Sequence, residues 1–342
     1  GQKPRRHRRW GWGPSANKKM TQTARSTSSA TRKDFLSVLD LEPADLERCL
    51  DLAAQVKADR SLGADAPTAN AIAGRHVALL FEKASLRTRS TFEIAVRELG
   101  GHVLALPGDT ALGAREPVAD VARNLERWVE AVVIRTFSQR LLEEFAASTR
   151  RLHVINALTD EEHPCQAVAD CLTLRERWGT VRGRTIAFVG DGNNVAASLA
   201  HAAAMLGVHL HVASPEGHQL AHAVVQQATA VARHGARLRL FTDAADAVVG
   251  ADAVYTDTWT SMGREAEAAR RREVFAPYQV NESLMALAKP GAFFMHCLPA
   301  HRGEEVSADV FESPSSVVFD QAENRLHCQK ALLLMLLSPA AG

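Results

Sequence analysis

The chain has 342 residues, which at about 150 residues per domain predicts two domains. Apolar residues make up 46% and charged residues 23%, which excludes a chain disordered throughout. The formal net charge of +1 conceals two parts: residues 1–33 hold ten Lys and Arg and no acid, and the remainder holds 30 basic against 39 acidic residues. Such an acidic body excludes a nucleic-acid-binding globule, so no nucleic-acid partner is expected.

The basic arm, residues 1–33, has no apolar periodicity and is predicted to be disordered. Met20 is a candidate native start, which would make residues 1–19 a tag or extension whose deletion leaves function unchanged. A mitochondrial targeting segment is the alternative, but the arginines cluster beside Gly and Pro and no amphipathic helix is apparent. A cytoplasmic location is therefore the prediction.

The five cysteines are widely spaced, and none forms a Cys-x-x-Cys pair. Neither a disulfide framework nor a zinc site is predicted from them. The strongly apolar run near the C-terminus, 331–337, is far shorter than the roughly 20 residues that span a bilayer. No membrane partner is expected.

Order is predicted to begin near Asp34, and short buried strands then alternate with helices. We predict helices over 43–59, 87–99 and 117–128, and strands over 76–81, 102–106, 131–135 and 154–156. This alternation is typical of a parallel sheet flanked by helices.

A second alternating series begins with a long helix. We predict helices over 164–178, 194–205, 218–234, 243–249 and 324–337, and strands over 185–189, 209–213, 237–241, 253–255 and 293–296. The sequence therefore predicts an α/β fold with two domains, each containing a mainly parallel sheet flanked by helices.

The first motif, Phe81-Glu-Lys-Ala-Ser85-Leu86-Arg87-Thr88-Arg89, stands where a strand ends and a helix begins. Ser85 and Thr88 offer hydroxyls, the first helical turn offers unpaired N–H groups, and the arginines add forked positive charge. This combination suits a phosphate or another small oxyanion. An N-cap beside surface arginines is the alternative interpretation.

The second motif, His163-Pro164-Cys165-Gln166, also lies at a loop-to-helix junction, where Pro fits the first turn. His163 and Gln166 are three apart and share a helix face, so both can point at one ligand. A structural histidine is the alternative.

The third motif, Gly190-Asp-Gly-Asn-Asn194-Val195, follows a strand and resembles the start of a dinucleotide fingerprint. Val195 occupies the third glycine position, and the next strand ends at Ala213-Ser214 without an acid for a ribose hydroxyl. A nicotinamide dehydrogenase is therefore poorly supported, and the asparagines are candidates for binding an amino-acid ligand.

The fourth motif, Asp257-Thr-Trp-Thr-Ser261-Met262-Gly263, offers a carboxylate and a hydroxyl that can bind an ammonium group. An ordinary Asp/Ser-rich loop is the alternative.

The fifth motif, His296-Cys297-Leu298-Pro299, places a thiol beside a histidine after a strand. The thiol is either nucleophilic or a buried, inert cysteine. All five motifs follow predicted strands, and ligands of open α/β sheets bind at the carboxyl ends of strands.

In this order and spacing, the motifs Ser-x-Arg-Thr-Arg, His-Pro-x-Gln, Asp-x-x-x-Ser-Met-Gly and His-Cys-Leu-Pro resemble the aspartate/ornithine carbamoyltransferase superfamily, and its ornithine branch in particular. The match covers about residues 33–338. The last two segments discriminate, because aspartate carbamoyltransferases lack both and putrescine or agmatine relatives replace the Ser-Met-Gly loop.

The resemblance implies transfer of the carbamoyl group of carbamoyl phosphate to the side-chain amine of L-ornithine, giving citrulline for arginine biosynthesis, without a metal or an organic cofactor. It implies a homotrimer with sites at subunit interfaces, and a C-terminal helix that packs back on the first domain. The carbamoyl-phosphate-binding domain would comprise residues 34–160 plus 320–338, and the ornithine-binding domain residues 161–319.

Site roles carry over by the same resemblance. The phosphate would be held by Ser85, the Leu86 backbone N–H, Arg87 and Thr88. The carbamoyl group would meet Arg135, His163, Gln166, Arg325, Cys297 and the Leu298 backbone. Ornithine would be bound by Asn194, Asp257, Ser261 and Met262.

The implied mechanism assigns catalytic roles to Cys297, Arg135 and His163. The amine must lose a proton before it attacks, and Cys297 is the expected acceptor. Arg135 and His163 would stabilise charge developing on the carbamoyl oxygen.

Two positions depart from the family pattern. Leu86 replaces the usual Thr, which leaves a backbone contact intact, and Ala111 replaces a Gln or His of the loop contributed by a neighbouring subunit. Loss of one charge-assisted hydrogen bond there would cost about 1.5–3 kcal/mol of phosphate affinity. A relative acting on another amine, or a non-catalytic ligand-binding paralogue, are the competing hypotheses.

Overall fold

The computed structural model describes residues 33–107, 112–260 and 265–338. Within these ranges the chain forms two sheets, each entirely parallel, with helices packed against them. This arrangement confirms the predicted α/β class. Residues 1–32 of the predicted disordered arm, together with Ala111, Ser261 and Met262, lie outside the described residues.

The first sheet has the strand order β2-β1-β3-β4. Its strands are β1 (His76–Phe81), β2 (His102–Ala105), β3 (Ala131–Arg135) and β4 (His153–Leu158), and its helices are α1 (Pro43–Ala58), α2 (Leu86–Glu98), α3 (Val118–Leu125) and α4 (Gln139–Ala147). β3 reads Ala-Val-Val-Ile-Arg and is buried along its whole length, as parallel strands covered on both faces are.

The second sheet has the order β7-β6-β5-β8-β9. Its strands are β5 (Thr185–Val189), β6 (His209–Ala213), β7 (Leu238–Phe241), β8 (Ala253–Thr256) and β9 (Phe293–His296). The remaining helices are α5 (Pro164–Trp178), α6 (Asn194–Leu206), α7 (His222–Val231), α8 (Ala244–Val248), α9 (Ala268–Phe275), α10 (Glu282–Met285), α11 (Ala308–Phe311) and α12 (Val318–Leu337). No helix in the described part of the chain is long and apolar enough to cross a membrane.

The C-terminal helix α12 packs on α1, α2 and α5, which confirms that it returns to the first half of the fold. One apolar cluster, which includes Val77, Leu172, Leu332 and Phe188, extends from the first sheet across α5 and α12 to the second. The two sheets are therefore held by a shared core.

Helix α12 begins at Val318, six residues before the predicted start. Its first turns bury Gln321, Asn324 and Arg325, so the apolar periodicity that marks a buried helix is missing there.

Helix α7 is shorter than predicted because residues 218–221 cover the turn after β5. Gly192 donates its N–H to the His218 carbonyl at 2.7 Å. A Cβ at position 192 would lie 2.3 Å from the Leu220 nitrogen, so this close approach requires glycine.

In each sheet the chain reverses its direction of strand addition once, between β1 and β3 and between β5 and β8. Crevices at the carboxyl ends of strands next to such points are the usual ligand sites of open α/β sheets. The five sequence motifs follow β1, β4, β5, β8 and β9, and Arg135 is the last residue of β3.

Candidate active site

The start of α2 is arranged to receive an anion. Ser85 is the N-cap residue, but its hydroxyl accepts no hydrogen bond from a helix N–H. The first turn of any helix carries N–H groups without intrahelical partners at the positive end of its dipole. Thr88 is buried, whereas the Leu86 side chain is 77% exposed, so Leu86 offers its backbone rather than its side chain to this position.

Two buried arginines converge on the Thr88 hydroxyl. Arg325 Nη2 and Arg135 Nη1 both donate to Thr88 Oγ1, the latter at 3.4 Å. Within the described ranges, neither guanidinium forms an ion pair with a carboxylate, and both Nε atoms are buried without a hydrogen-bond partner. Burial, followed by the charges of Arg325 and Arg87, lowers the pKa of Arg135 to about 10. The cluster therefore carries positive charge that a bound dianion would neutralise.

His163 and Gln166 begin α5 beside these arginines. His163 donates its backbone N–H to Ser198 Oγ at 2.9 Å. Burial and the charges of Arg325 and Arg135 hold the pKa of His163 well below its ordinary value, so the imidazole is neutral near pH 7. His163 Nδ1 and Gln166 Oε1 are buried and lack hydrogen-bond partners among the described residues. Both atoms are available to a ligand.

A separate negative group lies at the end of β8. Asp257 Oδ1 accepts hydrogen bonds from the Cys297 thiol at 2.9 Å and from the Thr258 N–H at 2.7 Å. Asp257 Oδ2 accepts from Asn193 Nδ2 at 2.7 Å. Asn193 also caps α6 by accepting from two of its N–H groups, so the carboxylate is fixed to a rigid element.

The Cys297 thiol is a proton donor in this arrangement. Burial and the nearby Asp257 carboxylate raise the pKa of Cys297 well above its ordinary value. His296 does not activate it, because His296 Nε2 bonds Glu305 and His296 Nδ1 accepts from the Leu298 N–H. The geometry therefore favours a protonated thiol over the nucleophilic alternative, and it differs from the expectation that this thiol accepts the amine proton.

Leu298 and Asn194 complete the described part of the site. Leu298 has a positive φ of 60°, a conformation held by its hydrogen bond to His296. Asn194 Nδ2 donates to the Thr159 carbonyl at 2.6 Å, so it is Asn193 and not Asn194 that reaches Asp257.

The positive and negative clusters are close enough to influence each other. The charge of Arg325 acts on Cys297 against the larger effects of burial and of Asp257, which raise the pKa of the thiol. Shortly after β8, the Trp259 carbonyl accepts a hydrogen bond from Nε of the buried Arg271.

One cluster near the site has the residue types of a metal centre. Donor atoms of Asp257, His296 and Cys297 lie within 4.8 Å of one another. Both ring nitrogens of His296 are already hydrogen-bonded, so an ion would have to displace Leu298 or Glu305. The absence of a metal stays a prediction.

The sequence interpretation missed Asp170 and Gln321. Asp170 follows Gln166 by four residues on α5 and accepts a hydrogen bond from it, a spacing that places both on one helix face. That spacing was the available signal. Gln321 contacts Asp170 from 151 residues away and carries no local signal.

Comparisons with known proteins agree with this geometry. Residues 33–176 match the family model described as aspartate/ornithine carbamoyltransferase, carbamoyl-P binding domain, and residues 182–336 match its Asp/Orn binding domain. An ornithine carbamoyltransferase from Thermosynechococcus vestitus is 51% identical over 306 residues, which is 89% of this chain and 96% of that relative.

Two solved structures extend the comparison. Ornithine carbamoyltransferase from Pyrococcus furiosus has a TM-score of 0.85 at 45% identity, covering 89% of this chain and 97% of that chain. Anabolic ornithine carbamoyltransferase from Campylobacter jejuni has a TM-score of 0.82 at 36% identity, covering 89% and 99%. The chain belongs to the aspartate/ornithine carbamoyltransferase family.

Proposed function

We propose that this protein transfers the carbamoyl group of carbamoyl phosphate to the side-chain amine of L-ornithine, forming L-citrulline and phosphate. The observation that carries the proposal is the separation of charge within one site. Arg135 and Arg325 have no carboxylate partner in the described ranges, whereas Asp257 is a fixed carboxylate at a neighbouring strand end. One pole suits a dianionic phosphate and the other an ammonium group.

At the positive pole, Ser85, the Leu86 N–H, Arg87 and Thr88 hold the phosphate at the start of α2. The free Ser85 hydroxyl and the unpaired N–H groups of the first turn support this role. The charge of these groups also stabilises phosphate as it leaves.

Arg135, Arg325, His163 and Gln166 surround the carbamoyl group. A neutral His163 donates a hydrogen bond to the carbamoyl oxygen, or accepts one from the amino group, without protonating the substrate. Arg135 supplies the charge that stabilises the oxygen as the carbon becomes tetrahedral. The low pKa of His163 supports this division of roles.

At the negative pole, Asp257 receives the side-chain ammonium of ornithine beside Cys297 and the Leu298 backbone. We assign acceptance of the ammonium proton to Asp257, because the Cys297 thiol keeps its own proton and only donates a hydrogen bond to Asp257. The neutral amine nitrogen then forms a bond to the carbamoyl carbon. The carbon–oxygen bond to phosphate breaks with its electron pair on phosphate, and the departing phosphate takes the second proton of the amine nitrogen. Asn194, Ser261 and Met262 bind the amino-acid end of ornithine.

The wider context belongs to the same proposal: a homotrimer, a cytoplasmic location, a part in arginine biosynthesis, and domains of 34–160 plus 320–338 and of 161–319. Sedimentation velocity tests the trimer.

The test of function is citrulline formation by the purified chain from carbamoyl phosphate and ornithine, with putrescine and aspartate as alternative acceptors. We expect turnover with ornithine at least about 100-fold above that with either alternative. Equal turnover with putrescine and with ornithine would support the hypothesis that the protein acts on another amine. The absence of turnover with every acceptor would contradict a transferase function.

A further inference from the structure

Asp170 is a buried carboxylate with no part in the proposed reaction. It has no exposed surface, and no cation forms an ion pair with it among the described residues. Its Oδ1 accepts hydrogen bonds from Gln166 Nε2 at 2.8 Å and Gln321 Nε2 at 2.7 Å. Its Oδ2 accepts from the Tyr255 hydroxyl at 3.0 Å. Burial of a carboxylate costs desolvation free energy, and here only neutral donors compensate for it, so the position of Asp170 requires an explanation.

These contacts fix the side-chain amide of Gln166 in one orientation. An ionised carboxylate oxygen only accepts hydrogen bonds, so the amide nitrogen of Gln166 must face Asp170. The carbonyl oxygen, Gln166 Oε1, is then the end of the amide that does not contact Asp170. In the part of the chain that the structure describes, this buried oxygen has no hydrogen-bond partner.

Gln321 makes the arrangement rigid. Its Oε1 accepts the backbone N–H of His296 at 3.0 Å, so its nitrogen cannot exchange places with its oxygen without breaking that bond. Gln321 Nε2 therefore always requires an acceptor at the Oδ1 position of Asp170. The same requirement keeps Oδ1 available to Gln166.

We propose that Asp170 is a positioning residue that aims Gln166 Oε1 at the amino group of the donor substrate, so that the site selects a carbamoyl over an acetyl group. The inference rests on the proposed function, because that function supplies the carbamoyl group. A carbamoyl NH₂ donates a hydrogen bond to Oε1, whereas a methyl group would leave this buried oxygen unpaired.

The test compares two hydrolytically stable phosphonates, phosphonoacetamide and 2-oxopropylphosphonate, which differ only by NH₂ and CH₃. Calorimetry of the full chain without ornithine gives the ratio of their Kd values. We expect the wild-type protein to prefer phosphonoacetamide by at least about tenfold. Gln166→Ala and Asp170→Ala should each reduce the ratio to within about twofold of one, and the double variant should reduce it no further.

Two variants separate positioning from a structural role. Tyr255→Phe removes the bond to Oδ2 and should keep the wild-type ratio. Asp170→Asn should also keep it, because Gln321 still demands an acceptor oxygen facing both glutamines. If Asp170→Ala does not fold, Asp170→Asn and Gln166→Ala decide the matter.

An unchanged ratio in Gln166→Ala or in folded Asp170→Ala would overturn the inference, as would a lost ratio in Asp170→Asn. These outcomes leave citrulline formation untouched as a test of the proposed function. A wild-type protein that binds neither phosphonate would contradict the proposed function itself.

Discussion

Cys297 Sγ lies 2.9 Å from Asp257 Oδ1 and donates a hydrogen bond to that carboxylate. The bond joins the residues that follow β9 and β8, two neighbouring strands of the second sheet. Burial and the Asp257 charge raise the pKa of Cys297, so the thiol stays protonated at neutral pH. At the negative pole of the site, the Asp257 carboxylate is therefore held in place by a hydrogen bond from a thiol.

Asp257→Asn is expected to weaken the use of ornithine selectively. The variant removes the charge that attracts the ammonium group, and loss of such a partly buried charge partner costs about 2–5 kcal/mol. Steady-state kinetics should show kcat/KM for ornithine falling at least about 30-fold, with phosphonoacetamide binding within about threefold of wild type. An equal loss of phosphonoacetamide affinity would argue for general collapse of the site.

Substitution of Cys297 tests whether its thiol acts by orienting the Asp257 carboxylate. Cys297→Ala should lower turnover far more than it weakens carbamoyl phosphate binding, because Asp257 loses a donor that orients it. Cys297→Ser keeps an O–H donor and should retain more turnover than the alanine variant. Serine and alanine variants of equal activity would contradict the bracing role, and equal effects on turnover and on binding would count against any catalytic part.

Arg325→Met is expected to weaken the binding of an anion and to stabilise the fold. Burial lowers the pKa of Arg325, and Arg87 adds like-charge repulsion, so an apolar side chain there should raise the free energy of unfolding by about 1–3 kcal/mol. The same variant should lose most of the thermal stabilisation that phosphonoacetamide gives the wild-type protein. Arg97→Met in the last turn of α2, where the side chain is 66% exposed, is the control and should change neither quantity substantially. A lower free energy of unfolding in Arg325→Met would contradict the proposal that the buried Arg325 charge destabilises the fold.

The stability of the protein should depend on pH through Asp170. Burial raises the pKa of Asp170 from 3.8 to about 6, so folding favours the protonated form. The contribution of this group to the free energy of unfolding is present at low pH and is lost as pH rises through about 6. Thermal unfolding at pH 4.5 and 7.5 should give the free energy of unfolding of Asp170→Asn relative to that of the wild-type protein. We expect this difference to be about 2 kcal/mol more favourable to the variant at pH 7.5 than at pH 4.5. A difference independent of pH would contradict the raised pKa.

The positions of the motifs were predictable because each depends on local pattern. Runs such as Ala131–Arg135 and Thr185–Val189 are buried strands in a continuous apolar stretch, and the observed bounds match the prediction. Once the strands are placed, their carboxyl ends define where Ser85 and Asp257 must lie.

The supporting contacts were not predictable, because they join distant parts of the chain through polar atoms. Gln321 and Arg325 lie in the part of α12 that lacks apolar periodicity, yet both are buried and contact α5 and α2 respectively. The raised pKa of Cys297 likewise depends on burial and on Asp257, forty residues away, and not on its neighbour His296.

A site that holds both substrates in contact should bind a bisubstrate analogue more tightly than it binds either substrate half. Phosphonoacetyl-L-ornithine joins a phosphonate to the ornithine side-chain nitrogen, and calorimetry can compare its Kd with those of phosphonoacetamide and ornithine alone. We predict that the linked compound binds at least about 100-fold more tightly than either half, and that Arg325→Met weakens its binding because the phosphonate loses a positively charged partner. A linked compound that binds no more tightly than phosphonoacetamide would contradict the account.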